Sequence, residues 1–579
     1  MRWQTGGARI VEALQQSGVR CVFGLPGTQT LELFEALRQA GLRTVVATNE
    51  LSAAFMAGGW ARVTGEPGIL ITISGPGFTW SLTGVAEARL DSVPLLHIFA
   101  APPADPHERS FGQQELAHAA IAAPLVKGVV DADTYSDPGQ AVVDALLIAR
   151  SGEPGPVLLQ VTAPTLARHR EGSELKPALS VIESDGVAKV CERVRRAQRP
   201  VLMVGQGTNK YAGQLRALVE GLRVPVVTTP SARGVLPEDH PLNLGFYPLA
   251  GNVNEVNGLL KSADLVLAIG CKLGHSDTSG FSLELPEERL VHVDASADVI
   301  AANYAASLGA VADASELFKQ LLSSPLQQSL WTEPELLAWR ARLARRQPAT
   351  DEPRVGGTPD GKAVSFFKGL RRALPADAIL VLDSGLHQIL ARRYYEVLAP
   401  YGLIMPTDLQ SMGFAIPTAI GVRLAVPDRP VVALVGDGGF AMTAMELLSA
   451  VREKISLTVI VFADGAFGQI RTQQLASYGT SHGVTIQNPD FSLLALALGV
   501  RYEAVGDQDD IESVARAALS ESGVTLVEVK VQDAFPLVRA AAGARARELA
   551  RRMTGPRVFG FVASLFRRLF AAGALLTSN

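Results

Sequence analysis

Two apolar runs, V-V-A-L-V (431–435) and L-T-V-I-V-F (457–462), each lead within two residues to an aspartate beside glycine, with a helix-length stretch between them. Apolar throughout and rich in β-branched residues, they fit parallel strands buried on both faces, which need a crossover rather than a tight turn. That confines the chain to α/β architecture and places its chemistry at the carboxyl ends of strands. Those ends read G-D-G-G (436–439) and A-D-G-A-F-G-Q (463–469). Gly436, Gly438 and Gly439 let backbone N–H groups approach phosphate oxygens. The carboxylates of Asp437 and Asp464, with the Ala466 carbonyl, would hold a hard cation such as Mg²⁺, completed by water and phosphate oxygens. A lone G-D-G also suits the turn of any doubly wound domain; the pair of strand ends favours a single site.

The rest of the chain repeats the alternation. Strand candidates lie at 21–23, 44–46, 68–72, 95–99 and 156–161 in residues 1–179, and at 201–204, 224–228, 265–269 and 290–293 in residues 180–346. With residues 362–534 this predicts α/β folding as three doubly wound parallel-sheet domains, the first and third sharing one architecture. Pro and Gly interrupt every period at 347–361, which reads as a linker. At 579 residues and 47% hydrophobic content, three sizeable cores are attainable. A net charge of −4 points away from nucleic acid. Cys21, Cys191 and Cys271 form no metal-ligand spacing and suit a reducing compartment; with no apolar signal segment at the N-terminus, a cytoplasmic location is expected. In the middle block, V-G-Q-G-T (204–208) and I-G-C-K-L-G (269–274) follow strands. They suit tight strand–helix turns, or a nucleotide such as FAD, an option rather than the expectation.

In T-N-E (48–50), Glu50 stands where a strand ends and a helix begins. Position alone leaves it either a helix-N-terminal acid or a catalytic carboxylate. Around it, V-F-G-L-P-G-T-Q-T (22–30), T-N-E-L-S-A-A-F-M-A-G-G-W-A-R (48–62), I-T-I-S-G-P-G-F-T (71–79) and L-D-S-V-P-L-L (90–96) accompany the G-D-G and A-D turns. Together they resemble the thiamine diphosphate (ThDP) enzymes of the acetolactate synthase-like type, over about residues 7–531. The usual second motif there ends in N-N; here Ala463 and Asp464 stand instead, adding charge near a polyanionic cofactor.

The resemblance implies ThDP and Mg²⁺ as cofactors, with Glu50 as the acid that activates the aminopyrimidine. It implies Pro26, Gly27 and Thr28 in a loop over the site, and Gln114 and Lys127 as polar groups within it. In L-D-S-G-L-H-Q (382–388) it assigns Ser384, Gly385 and His387 to the diphosphate, and in S-M-G-F-A-I-P-T-A-I-G (411–421) it puts Met412 beneath the cofactor. From the residues alone, His387 equally suits a turn and Met412 a core. Phe467 and Gly468 would border the cofactor, and Gln469 and Ile470 the substrate. Members bind the cofactor between subunits, so a homodimer or homotetramer with shared sites follows.

The chemistry implied is addition of the cofactor to a 2-oxo acid, loss of CO₂, and then either protonation of the enamine or its attack on a second carbonyl. Q-I-R-T-Q-Q-L (469–475) lacks an aromatic residue, and G-C-K-L-G-H-S-D-T-S-G (270–280) an arginine, that acetolactate synthases carry. F-G-L-P-G-T-Q-T-L-E-L, F-G-Q-I-R and N-P-D-F-S-L-L are closer to guanidino-oxopentanoate-type decarboxylases. Decarboxylation is the expectation. Acetolactate synthase-like carboligation or C–C lysis is the alternative, and a non-catalytic ThDP-fold subunit is the reading from another class. Residues 535–579 are arginine-rich, with an apolar face that includes Val558, Phe561 and Leu565. They suit either peripheral membrane contact or a packed C-terminal helix.

Overall fold

The computed structural model describes residues 3–102, 112–171, 175, 186–246, 253–344, 359–506 and 510–531. The arginine-rich tail lies outside the described residues. In the first domain β2 (Cys21–Gly24), β3 (Arg43–Val46), β4 (Gly68–Ile73), β5 (Leu95–Ala101), β6 (Gly128–Asp131) and β7 (Pro156–Thr162) form a sheet in the order β3-β2-β4-β5-β7-β6. A small antiparallel pair, β1 (Trp3–Thr5) with β8 (His169–Glu171), joins the two ends of this domain. The central sheet runs β11-β10-β9-β12-β13-β14, built from β9 (Pro200–Val204), β10 (Val226–Thr228), β11 (Asn243–Phe246), β12 (Leu265–Ile269), β13 (Leu290–Asp294) and β14 (Leu308–Val311). The third runs β16-β15-β17-β18-β20-β19, from β15 (Ile379–Leu382), β16 (Leu403–Ile404), β17 (Val431–Gly436), β18 (Leu457–Ala463), β19 (Arg501–Val505) and β20 (Val524–Lys530).

All three six-stranded sheets are parallel, and the first and third have the same strand order. The expected α/β class and the shared architecture are therefore both present. β4, β5, β9, β12, β15 and β17 are almost wholly buried, as sheets covered on both faces require. The stretch read as a linker is cut short: helix Pro359–Ala373 begins inside it. Pro359 opens that helix because proline fixes a helical φ where no N–H is needed.

The first and third domains share one core, closed by helix Glu50–Thr64 lying on helix Ala415–Ala425. Both helices are apolar nearly all round, as a helix packed on two sides must be. Their backbones touch. A Cβ on Gly421 would sit 2.0 Å from the Met56 carbonyl oxygen, and one on Gly59 2.4 Å from that of Thr418. On Gly58, one residue away, a Cβ would meet nothing within 4 Å.

Gly58→Ala should therefore raise stability by about 0.5–1 kcal/mol through helix propensity alone. Gly59→Ala should lower it by roughly 1–3 kcal/mol, because the obstacle is backbone that cannot rotate away. Thermal melting of the two variants beside the parent checks this; equal shifts would mean that the helices do not touch as described.

Candidate active site

The carboxyl ends of β15, β17 and β18 surround a cavity of about 210 Å³. Strand order reverses between β15 and β17, the place where open α/β sheets leave a crevice. After β15, Ser384, Gly385 and His387 line it; after β17, Gly436, Asp437, Gly438 and Gly439; after β18, Asp464, Ala466, Phe467 and Gly468. Met412, Gln469 and Ile470 also line it. Every third-domain residue singled out from the sequence thus borders one space. Gly385 has φ 150°, a conformation that side chains resist, and a Cβ there would lie 2.9 Å from the His387 ring. On Gly438 it would strike Phe467 at 2.7 Å, and on Gly439 the Asp383 carboxylate at 2.6 Å.

Asp437 is 3% exposed, and four N–H donors reach it, three of them on one oxygen. One oxygen accepts from Gly438 at 2.9 Å, the other from the Asp464 and Gly465 amides at 3.1 and 2.7 Å and from the Asn488 side chain at 2.9 Å. The β18 turn is thereby wrapped around the β17 acid. Burial and the adjacent Asp437 push the Asp464 carboxyl up to about 6, although Arg471 lies 3.6 Å away. Two acids packed so closely call for a cation. Among the described residues no three His, Cys, Asp or Glu side chains converge, so a metal here would need backbone and ligand oxygens as well. Burial drives the His387 ring down to about 4; neutral at pH 7, it leaves Nε2 without a partner in the cavity wall.

Sequence reading missed Asp383, Asn488 and Glu87. Asp383 is fully buried and pushed up to about 7 by desolvation. It accepts from the amides of Ser384, Gly413 and Ala415 at 3.0, 3.0 and 2.8 Å, fixing the Met412 segment beside the Ser384–Gly385 turn. Glu87, on helix Pro76–Leu90 of the first domain, accepts the Ser411 amide at 3.2 Å from the other side. An Asp directly preceding Ser-Gly at a strand end was a usable signal; Glu87 had none, because its partner lies in another domain.

The first-domain candidates gather at the carboxyl edge of their own sheet. Glu50 opens its helix behind the Asn49 cap, and a Cβ on Gly77 would lie 2.9 Å from its Oε1. Pro26, Gly27 and Thr28 form the loop after β2, where Gly27 donates to the Thr30 hydroxyl at 2.9 Å. Gln29 donates to the Gln114 carbonyl oxygen at 2.7 Å and Ser74 does so at 3.2 Å, so Gln114 ties that loop to the Gly75–Gly77 turn. Lys127 does not join them. It precedes β6, at the opposite edge of the sheet, and donates to the Ile148 and Ser151 carbonyls at 2.7 and 2.5 Å. Its amine, pushed down to about 8 by burial, closes the end of helix Pro138–Arg150. Among the described residues, none from the first domain lines the third-domain cavity.

Residues 4–121, 187–321 and 383–529 match, in turn, the N-terminal TPP binding domain, the central domain and the C-terminal TPP binding domain of thiamine pyrophosphate enzymes, the pyrophosphate being ThDP. Over 539 residues, 91% of this chain and 94% of the relative, the sequence is 33% identical to a probable 2-ketoarginine decarboxylase of Pseudomonas aeruginosa. The chain belongs to the acetolactate synthase-like ThDP enzymes. It is also 28% identical to the acetolactate synthase isozyme 1 large subunit of Escherichia coli (92% of this chain, 96% of that one) and 30% identical to an acetolactate synthase of Mycobacterium bovis (89% and 86%). For a ThDP enzyme the third-domain cavity suits the diphosphate end of the cofactor: it lies at the sheet's reversal point, where the turns after β15 and β17 open on it and His387 offers an unpaired ring nitrogen.

The central sheet of this ThDP enzyme has the dinucleotide-fold order, and a second cavity of about 200 Å³ lies at its reversal between β9 and β12. Its glycines are used in packing: a Cβ on Gly205 would lie 2.2 Å from the Gly270 carbonyl oxygen. The wall carries Asp91, Glu153, Asp277, Asp294, Asp313 and Asp408. Its four cations are engaged, Arg62 with Asp91, Arg150 with Glu66, Lys272 with Glu153, and Lys210 with the Gly65 carbonyl. A flavin diphosphate would meet six carboxylates, with three of the four cations already ion-paired and only Lys210 held by an uncharged carbonyl, so the wall is poorly suited to FAD.

Glu87 gives a pH test of the cofactor-free protein. Burial, with the Asp91 carboxylate nearby, pushes its carboxyl up to about 7. A folded pKa above the unfolded value of about 4.3 means stability that is full below that value and lost as pH rises through 7. Glu87→Gln keeps an acceptor for Ser411 and should leave melting unchanged at pH 4.5 while raising stability by roughly 2–3 kcal/mol at pH 8. An equal shift at both pH values would assign the effect to packing.

Proposed function

We propose that this ThDP enzyme is a Mg²⁺-dependent decarboxylase of a 2-oxo acid, its sites completed between two copies of the chain. The observation that carries the reading is the division of the machinery into two half-sites. The phosphate cradle and acid pair border a cavity lined, among the described residues, by the third domain, whereas Glu50 and its loops sit on the first. Cytoplasmic residence as a homodimer or homotetramer accords with this arrangement. Among the described residues no helix is long and apolar enough to cross a membrane.

In this reading Asp437 and Asp464, with the Ala466 carbonyl, hold the cation, and the Ser384 hydroxyl with the Gly385 and Gly439 amides receives the diphosphate. The diphosphate charge favours the protonated His387 ring, which then donates from Nε2, and Met412, fixed by Asp383, supports the cofactor from below. Phe467 and Gly468 flank it. Glu50 from the facing copy holds a proton against the pyrimidine ring. When bound, ThDP supplies the electron sink that lets a 2-oxo acid release CO₂. Pro26, Gly27, Thr28, Gln114, Gln469 and Ile470 shape the substrate space and limit water; Lys127 is not among them. Decarboxylation is favoured over carboligation by the higher identity to the 2-ketoarginine decarboxylase and by Gln469–Leu475, which carries no aromatic side chain for an acceptor pocket.

Release of CO₂ from a panel of 2-oxo acids, with product identified as aldehyde or as a hydroxy-oxo acid, tests the reaction; only the latter product would make the enzyme a carboligase. Glu50→Gln should leave calorimetric binding of ThDP and Mg²⁺ within about threefold while lowering kcat by about 10²–10⁴. Asp437→Ala should abolish cofactor binding. Mixed after subunit exchange, these two inactive variants should recover about a quarter of wild-type activity, because half of randomly paired dimers carry one intact composite site. No recovery would place each whole site within one chain.

A further inference from the structure

Glu446 lies in the helical turn Ala444–Glu446, which continues the helix begun at Asp437. Its side chain is completely buried and crosses into the first domain. One carboxylate oxygen accepts the Thr48 amide at 2.9 Å and also the Thr48 hydroxyl. The other oxygen has no donor among the described residues. A carboxylate removed from water with half its lone pairs unmet is costly, and an apolar side chain would fill the same volume without that cost. The two bonds it does make go to the last residue before the Asn49 cap and Glu50.

The neighbouring residues act on the same strand end. Ser449 reaches the Val46 carbonyl at 3.4 Å, Arg452 reaches the same oxygen, and Glu453 pairs with Arg43 at 2.9 Å. These grip β3 itself, whereas Glu446 grips the turn beyond it. Among the described residues the Glu50 carboxylate has no hydrogen-bond partner of its own. Its position therefore depends on the backbone that carries it, and misplacement of a reacting group by about 1 Å can cost roughly 10²-fold in rate.

We propose that Glu446 is a positioning residue for Glu50: by holding the Thr48 amide and hydroxyl it fixes the 48–50 turn, so that the Glu50 carboxylate stays against Gly77 and faces the pyrimidine ring. The proposal rests on the reading of Glu50 as the activating acid. Glu446 touches neither substrate nor cofactor. It links the helix that starts at the cation-binding Asp437 to the strand end that carries the activating acid.

Three readouts test it: hydrogen exchange of the 43–52 segment in the cofactor-free protein, calorimetric binding of ThDP and Mg²⁺, and exchange of the C2 proton of bound ThDP with deuterated water. Glu446→Ala should speed amide exchange in that segment and keep ThDP affinity within about threefold. It should also slow C2 exchange roughly tenfold to a hundredfold, with kcat following. Glu446→Gln, whose amide oxygen still accepts from Thr48, should restore most of the rate. Should the alanine variant not fold, Thr48→Val removes only the hydroxyl bond and should slow C2 exchange severalfold. Glu50→Gln is the control for the underlying reading: if it leaves C2 exchange fast, the role of Glu50 falls and the proposal with it. If Glu50→Gln slows exchange while Glu446→Ala and Thr48→Val both match the parent, Glu446 is a domain clasp and the proposal alone is overturned.

Discussion

The arrangement depends on a seam where two helices meet backbone to backbone, with Gly59 on Thr418 and Gly421 on Met56. Helix Glu50–Thr64 begins with the candidate acid, and helix Ala415–Ala425 follows directly on the Met412 segment. Because interiors are packed as densely as crystals, such a contact transmits position with little slack. Larger side chains at these glycines would separate the domain that carries Glu50 from the one that carries Met412. The seam also explains why both helices lack a polar face: each is covered by its own sheet on one side and by the other helix on the other.

Around this seam the protein buries acids and spends backbone N–H groups on them. Asp383 accepts three amides and Asp437 three amides and a side-chain amide, and each thereby stitches separate loops into one surface. The stitching differs in its electrical consequence. Asp383 is enclosed, and burial alone raises its carboxyl to about 7; Asp464 opens on the cavity and is raised by burial together with Asp437. A cation at Asp437 and Asp464 would relieve that repulsion.

What could be read from residues 431–469 was local in origin. Strand, glycine turn and acid follow one another in sequence, so Asp437, Asp464 and the glycine cradle were legible, as was Glu50 at a strand–helix junction. The common order of the first and third sheets could be anticipated only as a likeness of pattern, since order is set by long-range pairing. The residues overlooked act across loops or domains: Asn488 reaches Asp437 from fifty-one positions away, and Glu87 and Glu446 reach Ser411 and Thr48 in another domain. No periodicity encodes such contacts. Lys127 failed for a related reason, because its place beside β6 depends on where an edge strand enters the sheet, and the strand enters with the lysine at the amino edge.

The central domain shows how little strand order says about ligands. Its sheet has the order that elsewhere receives dinucleotides, and its reversal point opens a cavity much like the one in the third domain. The difference lies in what meets the charge. In the third domain His387 keeps an unpaired nitrogen in the wall; in the central domain six carboxylates line the wall, three of its four cations are paired with carboxylates and Lys210 is held by the Gly65 carbonyl. The same crevice geometry is thus receptive to a diphosphate in one domain and repels it in the other. The distinction is carried by a handful of side chains at strand ends, with the architecture held constant.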